Sequence, residues 1–231
     1  MNNIYKNGEY IRRHPSWHAE DAAWKAWHIY QIIRKNNIII QKVADIGCGS
    51  GGVLAELSSL MDKDIAYYGY DISTQAIELA RRHEGISFST EDLFSSENSE
   101  YFDILLAIDV LEHIPDYMTF MERCRLKASY KIYHIPIDLS ISSVLSDSFI
   151  DGRRNLGHVQ YFSFQSAIAC LKDSEHFIID YFFTDVGTYY TKQARTLKRT
   201  IANFPRQISA LFSISLSAKI FGRYSIMVLT K

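Results

Sequence analysis

Apolar residues recur along this chain with two spacings, and the order in which the spacings alternate predicts the architecture. After Pro15 and a capping Ser16, Trp17, Trp24, Trp27 and Ile32 stand among the polar Asp21, Lys25 and Arg34, the pattern of a helix to about Asn36 that precedes any strand. Apolar runs and helical segments then alternate: KVADI as a buried strand, a helix over 51–61, AYYGY, a helix over 73–83, ISFS, the long run YFDILLAID, a helix from Asp116 to about Leu126, and YKIYHI. Strands separated by helices predict a parallel sheet with right-handed crossovers. Asp138 to Gln160, rich in Ser and Asp, reads as a long loop. HFIIDYFFTD and RYSIMVLT read as a closing antiparallel pair at one sheet edge, with a basic, partly helical stretch from Lys192 to Lys219 between them.

Composition narrows this picture. With 231 residues, 47% of them hydrophobic, the chain suits one domain with its own core. We expect residues 1–39 to form a helical lid and residues 40–231 an α/β core. Ile201 to Gly222 is the run nearest to a membrane segment, but Pro205, Arg206 and Lys219 interrupt it, so no transmembrane span is expected. Cys48, Cys124 and Cys170 are widely spaced without a CxxC pair and read as reduced thiols. The opening MNNIYKNGEY lacks the apolar core of a signal peptide, and the net charge of -1 provides no global field for nucleic acid. A cytoplasmic protein that does not bind DNA is expected, with homodimerisation left open.

Candidate chemistry begins at VADIGCGSGG, where four glycines fall within six positions. Gly47, Gly49 and Gly52 satisfy the GxGxxG spacing of a dinucleotide site, while Gly47, Gly49 and Gly51 satisfy a tighter GxGxG. In both readings the strand-to-helix turn brings backbone N–H groups to a ligand at the carboxyl edge of a parallel sheet, and Asp71 after the second strand accepts from ribose hydroxyls. Asp45 separates the two, because a carboxylate two residues before the first glycine repels a pyrophosphate and attracts a cation. Asp92, after the third strand, either accepts from an adenine amino group or caps a turn.

VADIGCGSGG, YYGYDIS, STEDLF and FDILLAIDVLEHIPD together resemble motifs I to IV of the class I S-adenosylmethionine-dependent methyltransferases. The resemblance spans about residues 40–231. It implies a three-layer Rossmann-like α/β fold with a seven-stranded sheet, order 3-2-1-4-5-7-6, strand seven antiparallel. It also implies S-adenosylmethionine as cofactor, with Asp45 near its methionine end and Gly47, Cys48, Gly49 and Gly51 along it. Asp71 would take the ribose, Asp92 and Leu93 the adenine, and Ile108 the methionine side, with Ile72 also counted among the cofactor-binding residues. HPSWHAEDAAWKAW, PIDLS and GHVQYFS further resemble a bacterial subgroup of sugar and surface-glycan methyltransferases, which implies a sugar or nucleotide-sugar acceptor.

Methyl transfer from a sulfonium needs alignment and exclusion of water, and a hydroxyl acceptor also needs a base. His113 and His158 are the candidates for that base; His134, inside an apolar strand, reads as a hydrogen-bonded structural residue. A helical turn through IDVLEH would bring Asp109, Glu112 and His113 together, with His158 arriving from the later loop. That set resembles the divalent-metal site of ubiquinone-pathway O-methyltransferases and small-RNA 2′-O-methyltransferases, implying Mg²⁺, although the first ligand there is Glu where this chain has Asp109. Arg153 and Arg154 could hold an acceptor phosphate or carboxylate, and Trp17, His18, Trp24, Trp27 and His28 could cover the donor. An NAD-dependent oxidoreductase is disfavoured because no Ser/Tyr/Lys constellation follows the fourth or fifth strand. The basic residues between Lys192 and Arg206 leave contact with small RNA or a membrane surface open.

Overall fold

The computed structural model describes residues 12, 17, 19–194 and 197–231. Ser16, His18 and Arg195 therefore lie outside the described residues. A 3₁₀ turn over Ala19–Asp21 leads into α1 (Ala22–Lys35), which ends where the Asn36 side chain donates to the Ile32 carbonyl at 2.8 Å. There follow β1 (Lys42–Ile46), α2 (Gly52–Leu60), β2 (Ala66–Tyr70), α3 (Thr74–Ala80), β3 (Ile86–Ser89), β4 (Phe102–Ile108), α4 (Tyr117–Arg125) and β5 (Ala128–Ile137). The remaining elements are α5 (Ile141–Leu145), α6 (Ser148–Asn155), α7 (Phe164–Asp173), β6 (Ile178–Thr184), α8 (Val186–Ala194), α9 (Leu197–Phe212), α10 (Ile214–Phe221) and β7 (Tyr224–Thr230).

The sheet order is β3-β2-β1-β4-β5-β7-β6, with β7 antiparallel to both neighbours, as the alternation of elements and the motifs imply. β1 pairs with β2 on one side and β4 on the other, and Asp45 lies in register with both Gly69 and Leu106. Because a strand alternates its side chains, β4 serves two cores. Ile104, Leu106 and Ile108 pack with Ile29, Ile32 and Ile33 of α1 and Leu54 and Leu57 of α2. Leu105 and Ala107 pack with Met121 and Cys124 of α4 and Leu171 of α7. Most of α1 is thus a core helix, and only its first turns are free to cover a ligand.

The structure departs from the sequence reading between Asp138 and Asp173. The expected loop holds α5 and α6, and α7 was not foreseen as a helix. The serines that make this region look loop-like are caps: Ser140 with Ser143, and Ser163 with Ser166, form two reciprocal capping boxes. The basic segment is three helices, with Pro205 inside α9. Among the described residues no helix is long and apolar enough to cross a membrane.

Candidate active site

The carboxyl edge of the sheet opens into a cavity of about 810 Å³, a size suited to a small-molecule ligand. Asp45, Gly47, Cys48, Gly49, Asp71, Ile72, Asp92, Leu93 and Ile108 line it, as do Asp109, Glu112, His113 and His158. Gly51 does not. Its φ of +79° and its closeness to Phe88, whose ring atoms lie 2.6 and 2.8 Å from where a Cβ would stand, show that this glycine makes room for a β3 side chain rather than a ligand. At Gly47 (φ +77°) a Cβ would meet Val110 at 2.6 Å. Two of the glycines in VADIGCGSGG are thus required by packing within the fold.

The backbone donors of this turn are also largely committed. The N–H groups of Gly47 and Cys48 donate to the Tyr70 carbonyl at 2.7 and 3.1 Å, and that of Gly51 donates to the Cys48 carbonyl. Gly49 N–H donates to Asp71 Oδ2 at 2.9 Å, while Asp71 Oδ1 accepts from Ser73 N–H at 2.8 Å. The expected N–H cradle is therefore mostly spent inside the fold. Two buried acids, Asp45 and Glu112, stand in the lining instead, and one oxygen of each has no hydrogen-bond partner. Burial, with Asp71 nearby, pushes the Asp45 carboxyl well above its ordinary range; burial, with Asp109 nearby, does the same to Glu112. Unpartnered buried carboxylates suit a ligand that brings hydrogen-bond donors and positive charge, and disfavour a pyrophosphate. Asp92 Oδ1 accepts from Phe94 N–H at 2.9 Å, so this residue builds a turn while lining the cavity.

Asp109 is placed differently from the expected metal set. Its φ of +54° breaks the helical turn, and the 3₁₀ turn begins only at Leu111. Its carboxylate meets Lys25 Nζ at 2.8 Å and His134 Nδ1 at 2.6 Å. Burial alone would raise the Asp109 pKa, but His134 and Lys25 outweigh it and hold the group well below the carboxylate range. The Lys25 ammonium, pushed down by burial, is carried above its ordinary value by Asp109 and Asp21. His134 also meets Thr184 Oγ1 at 2.8 Å, and Tyr190 donates to Asp21 at 2.8 Å. The sequence reading missed this network by counting Lys25 with the polar face of α1. The available signal was helical spacing, since Lys25 lies on the same stripe as Ile29, Ile32 and Ile33.

Glu112, His113 and His158 do converge, with one ligand atom from each lying within 4.8 Å of the others. The His113 and His158 rings stand 5.0 Å apart, centroid to centroid, and His158 Nδ1 lies 3.4 Å from Asp138. The main chain fixes this pairing, because the Glu112 carbonyl accepts from Val159 N–H at 2.7 Å and from Gln160 N–H at 3.1 Å. With Asp109 engaged elsewhere, the set offers one carboxylate and two imidazoles, a poor match for oxygen-seeking Mg²⁺ and a better one for a softer divalent ion. Trp17, Trp24 and Tyr190 also line the cavity, while Trp27 is exposed and stacks on Tyr30. His28 lies outside this wall, with its Nδ1 at 2.7 Å from the Trp24 carbonyl. Arg153 and Arg154 are exposed on α6 and outside the lining, so the arginines expected to hold an acceptor anion do not face the cavity.

Residues 41–208 match the family model described as "Methyltransferase domain". The chain is 27% identical over 145 residues to the ubiquinone biosynthesis O-methyltransferase of Actinobacillus pleuropneumoniae, spanning 54% of this chain and 61% of that protein. Among solved structures it is similar to magnesium protoporphyrin IX methyltransferase from Synechocystis with bound SAH, at TM-score 0.56 and 17% identity, covering 96% of this chain and 85% of that one. It is also similar to an O-methyltransferase family protein from Burkholderia thailandensis, at TM-score 0.61 and 9% identity, covering 99% and 63%.

Proposed function

From the premise that this chain belongs to the methyltransferase-domain family and is an S-adenosylmethionine-dependent methyltransferase, we propose that it methylates a hydroxyl on a flat aromatic acceptor, with His113 or His158 taking the proton. The single observation that carries this reading is the imidazole pair, 5.0 Å apart on the β4–β5 side of a cavity to which Ile114, Phe120, Leu156 and Trp24 add apolar surface beside the carboxyls of Asp109, Glu112 and Asp138. Arg153 and Arg154, the pair expected to hold an acceptor phosphate or carboxylate, lie outside the cavity lining. The curated relatives named for ubiquinone biosynthesis support the aromatic class, although the chain spans only about three-fifths of their length.

The proposed donor site runs along the β1–β3 edge. Asp71 accepts from ribose hydroxyls with the lone pairs left after binding Gly49 and Ser73, and Asp92, Leu93 and Ile72 border the adenine. Gly47, Cys48 and Gly49 follow the length of the donor, and Asp45 and Ile108 lie toward its methionine end. When bound, S-adenosylmethionine would supply an electrophilic methyl on a sulfonium, whose charge would be neutralised as the oxygen–carbon bond forms and the C–S electron pair is left on sulfur. The protein then has two tasks: to align the acceptor oxygen about 3 to 3.5 Å from the methyl carbon, and to remove the hydroxyl proton onto a ring nitrogen of His113 or His158. The first turns of α1, with Trp17 and Trp24, serve as a lid over one continuous domain and exclude water. Cys48, Cys124 and Cys170 are unpaired, which suits a cytoplasmic setting.

Glu112, His113 and His158 could instead hold a divalent ion that binds the acceptor hydroxyl, and their convergence within 4.8 Å is the observation that favours this second reading. One experiment separates the alternatives: purified protein with methyl-labelled donor is offered dihydroxyphenols, nucleotide sugars and small RNAs, with and without EDTA. The expected result is label in the phenols, resistant to EDTA, and lost about 100-fold or more in His113→Ala or His158→Ala. Label appearing only in the nucleotide sugars would overturn the aromatic reading, and activity abolished by EDTA and restored by Mn²⁺ would establish the metal one.

A further inference from the structure

We infer that the α9–α10 hairpin is a docking surface for an anionic lipid bilayer, onto which the protein settles peripherally. Charge along the chain is sharply divided. All 26 Asp and Glu residues lie before position 186, whereas residues 186–231 contain eight Lys and Arg and no acid at all. That division is invisible in the net charge of -1.

The same segment carries large apolar side chains that the fold leaves uncovered. On α9, Ile201, Phe204, Ile208, Leu211 and Phe212 follow the spacing of one helical face and are all exposed, Leu211 by 86% and Phe212 by 85%. The opposite face holds buried Asn203 and Arg206, the latter tied to Asp185 at 2.7 Å and seated over the Tyr224 ring. Arg206 is thus an anchor within the fold and not part of the basic surface. Ser213 caps α10, on which Ile214 and Leu216 are also exposed, and α10 packs against α5, where Val144 and Leu145 are exposed too. Contiguous exposed apolar side chains of this kind mark a surface that meets something.

Three occupants are conceivable, and charge with polarity selects one. A second copy of the chain docking face to face would bring two base-only segments together, which like-charge repulsion opposes. A nucleic acid would satisfy the bases and leave Leu211, Phe212 and Leu216 against a phosphate backbone. An anionic membrane answers both features, since headgroups neutralise Lys192 and Lys219, which are exposed, while the apolar knuckle at Leu211 and Phe212 enters the interface. The segment also borders the cavity, since Val186 and Tyr190 of α8 and Arg223 after α10 line it.

The test is cosedimentation of the intact protein with phosphatidylglycerol-containing vesicles and with pure phosphatidylcholine vesicles. Binding to the former, weak binding to the latter, and weakening between about 0.1 and about 0.5 M salt are expected. The combined Leu211→Ser and Phe212→Ser variant should lose binding about tenfold or more, because two apolar side chains no longer leave water. Its thermal melt should stay unchanged, because both residues are exposed. Lys219→Glu should weaken binding to phosphatidylglycerol vesicles alone. Absence of binding to either vesicle would overturn the inference. Self-association at micromolar concentration that the Leu211→Ser and Phe212→Ser changes abolish would also overturn it and assign the face to a second copy. Neither outcome bears on the identity of the methyl acceptor.

Discussion

On the β1–β2 side of the cavity the key carboxylate is held by backbone: Asp71 accepts from the N–H groups of Gly49 and Ser73, both within the loops that β1 and β2 feed. On the β4–β5 side it is held by side chains that arrive from elsewhere. Asp109 meets Lys25 from α1 and His134 from β5, and His134 in turn meets Thr184 at the end of β6. The first arrangement shapes a turn locally. The second ties the covering helix to three strands, so the same chemical group contributes mainly to ligand geometry in one place and to global stability in the other.

The sharpest way to break that contrast is Asp109→Ala. It leaves the Lys25 ammonium, whose side chain is only 11% exposed, facing Asp21 alone. Removing one partner of a buried ion pair costs about 3 to 5 kcal/mol, and the partial exposure of Asp109 puts this site near the lower end. Urea denaturation should register the loss. Its pH dependence follows from the directions of the two shifts. The depressed Asp109 contributes stability that is present above its ordinary value of 3.8 and fades as pH falls toward its folded value. The raised Lys25 contributes below its ordinary value of 10.5 and fades as pH climbs through the folded value. The gap between wild type and variant should therefore narrow in acid and again in strong alkali. A gap that does not narrow on the acid side would remove Asp109 from the ion pair.

Asp71→Ala tests the other half and should act on the donor more than on the fold. Two N–H groups lose their acceptor and the glycine turn loses its brace, so S-adenosylmethionine affinity should fall by about 1 to 3 kcal/mol in calorimetric titration. The effect on unfolding should be smaller than that of Asp109→Ala, since Gly49 and Ser73 can turn to water. Donor affinity left at the wild-type value would remove Asp71 from the donor site.

The difference between the halves also explains how much of each could be read beforehand. Asp45, the glycines, Asp71 and Asp92 sit at the ends of successive strands, where alternation of apolar runs already fixes which edge they share; that locates the cavity, while the sheet order comes from the family resemblance the motifs carry. Even there the packing demand on Gly51 is not legible, because what approaches it is Phe88, a contact that depends on β3 side-chain direction rather than on spacing. The β4–β5 side depends on pairs remote in sequence. Nothing local to IDVLEH reveals that Asp109 adopts φ +54° and turns to Lys25, or that the serines near α5 and α7 begin helices instead of prolonging a loop.

The smallest expected effect has the opposite sign. Glu112 is buried more deeply than Asp109, one of its oxygens has no partner, and burial raises its pKa instead of neighbours lowering it. A carboxyl whose folded pKa lies above its ordinary value of 4.5 penalises the native state increasingly as pH rises from that value toward the folded one. Glu112→Gln removes the ionisation while keeping the shape, and the backbone carbonyl that orders Val159 and Gln160 is untouched. The variant should be more stable than wild type by about 1 kcal/mol at neutral pH, with the difference vanishing by about pH 4. Denaturation at the two pH values measures it directly. If Glu112→Gln is destabilising at neutral pH, the carboxylate is already engaged by a cation in the free protein, and Glu112 belongs with Asp109 among the groups whose charge the fold requires.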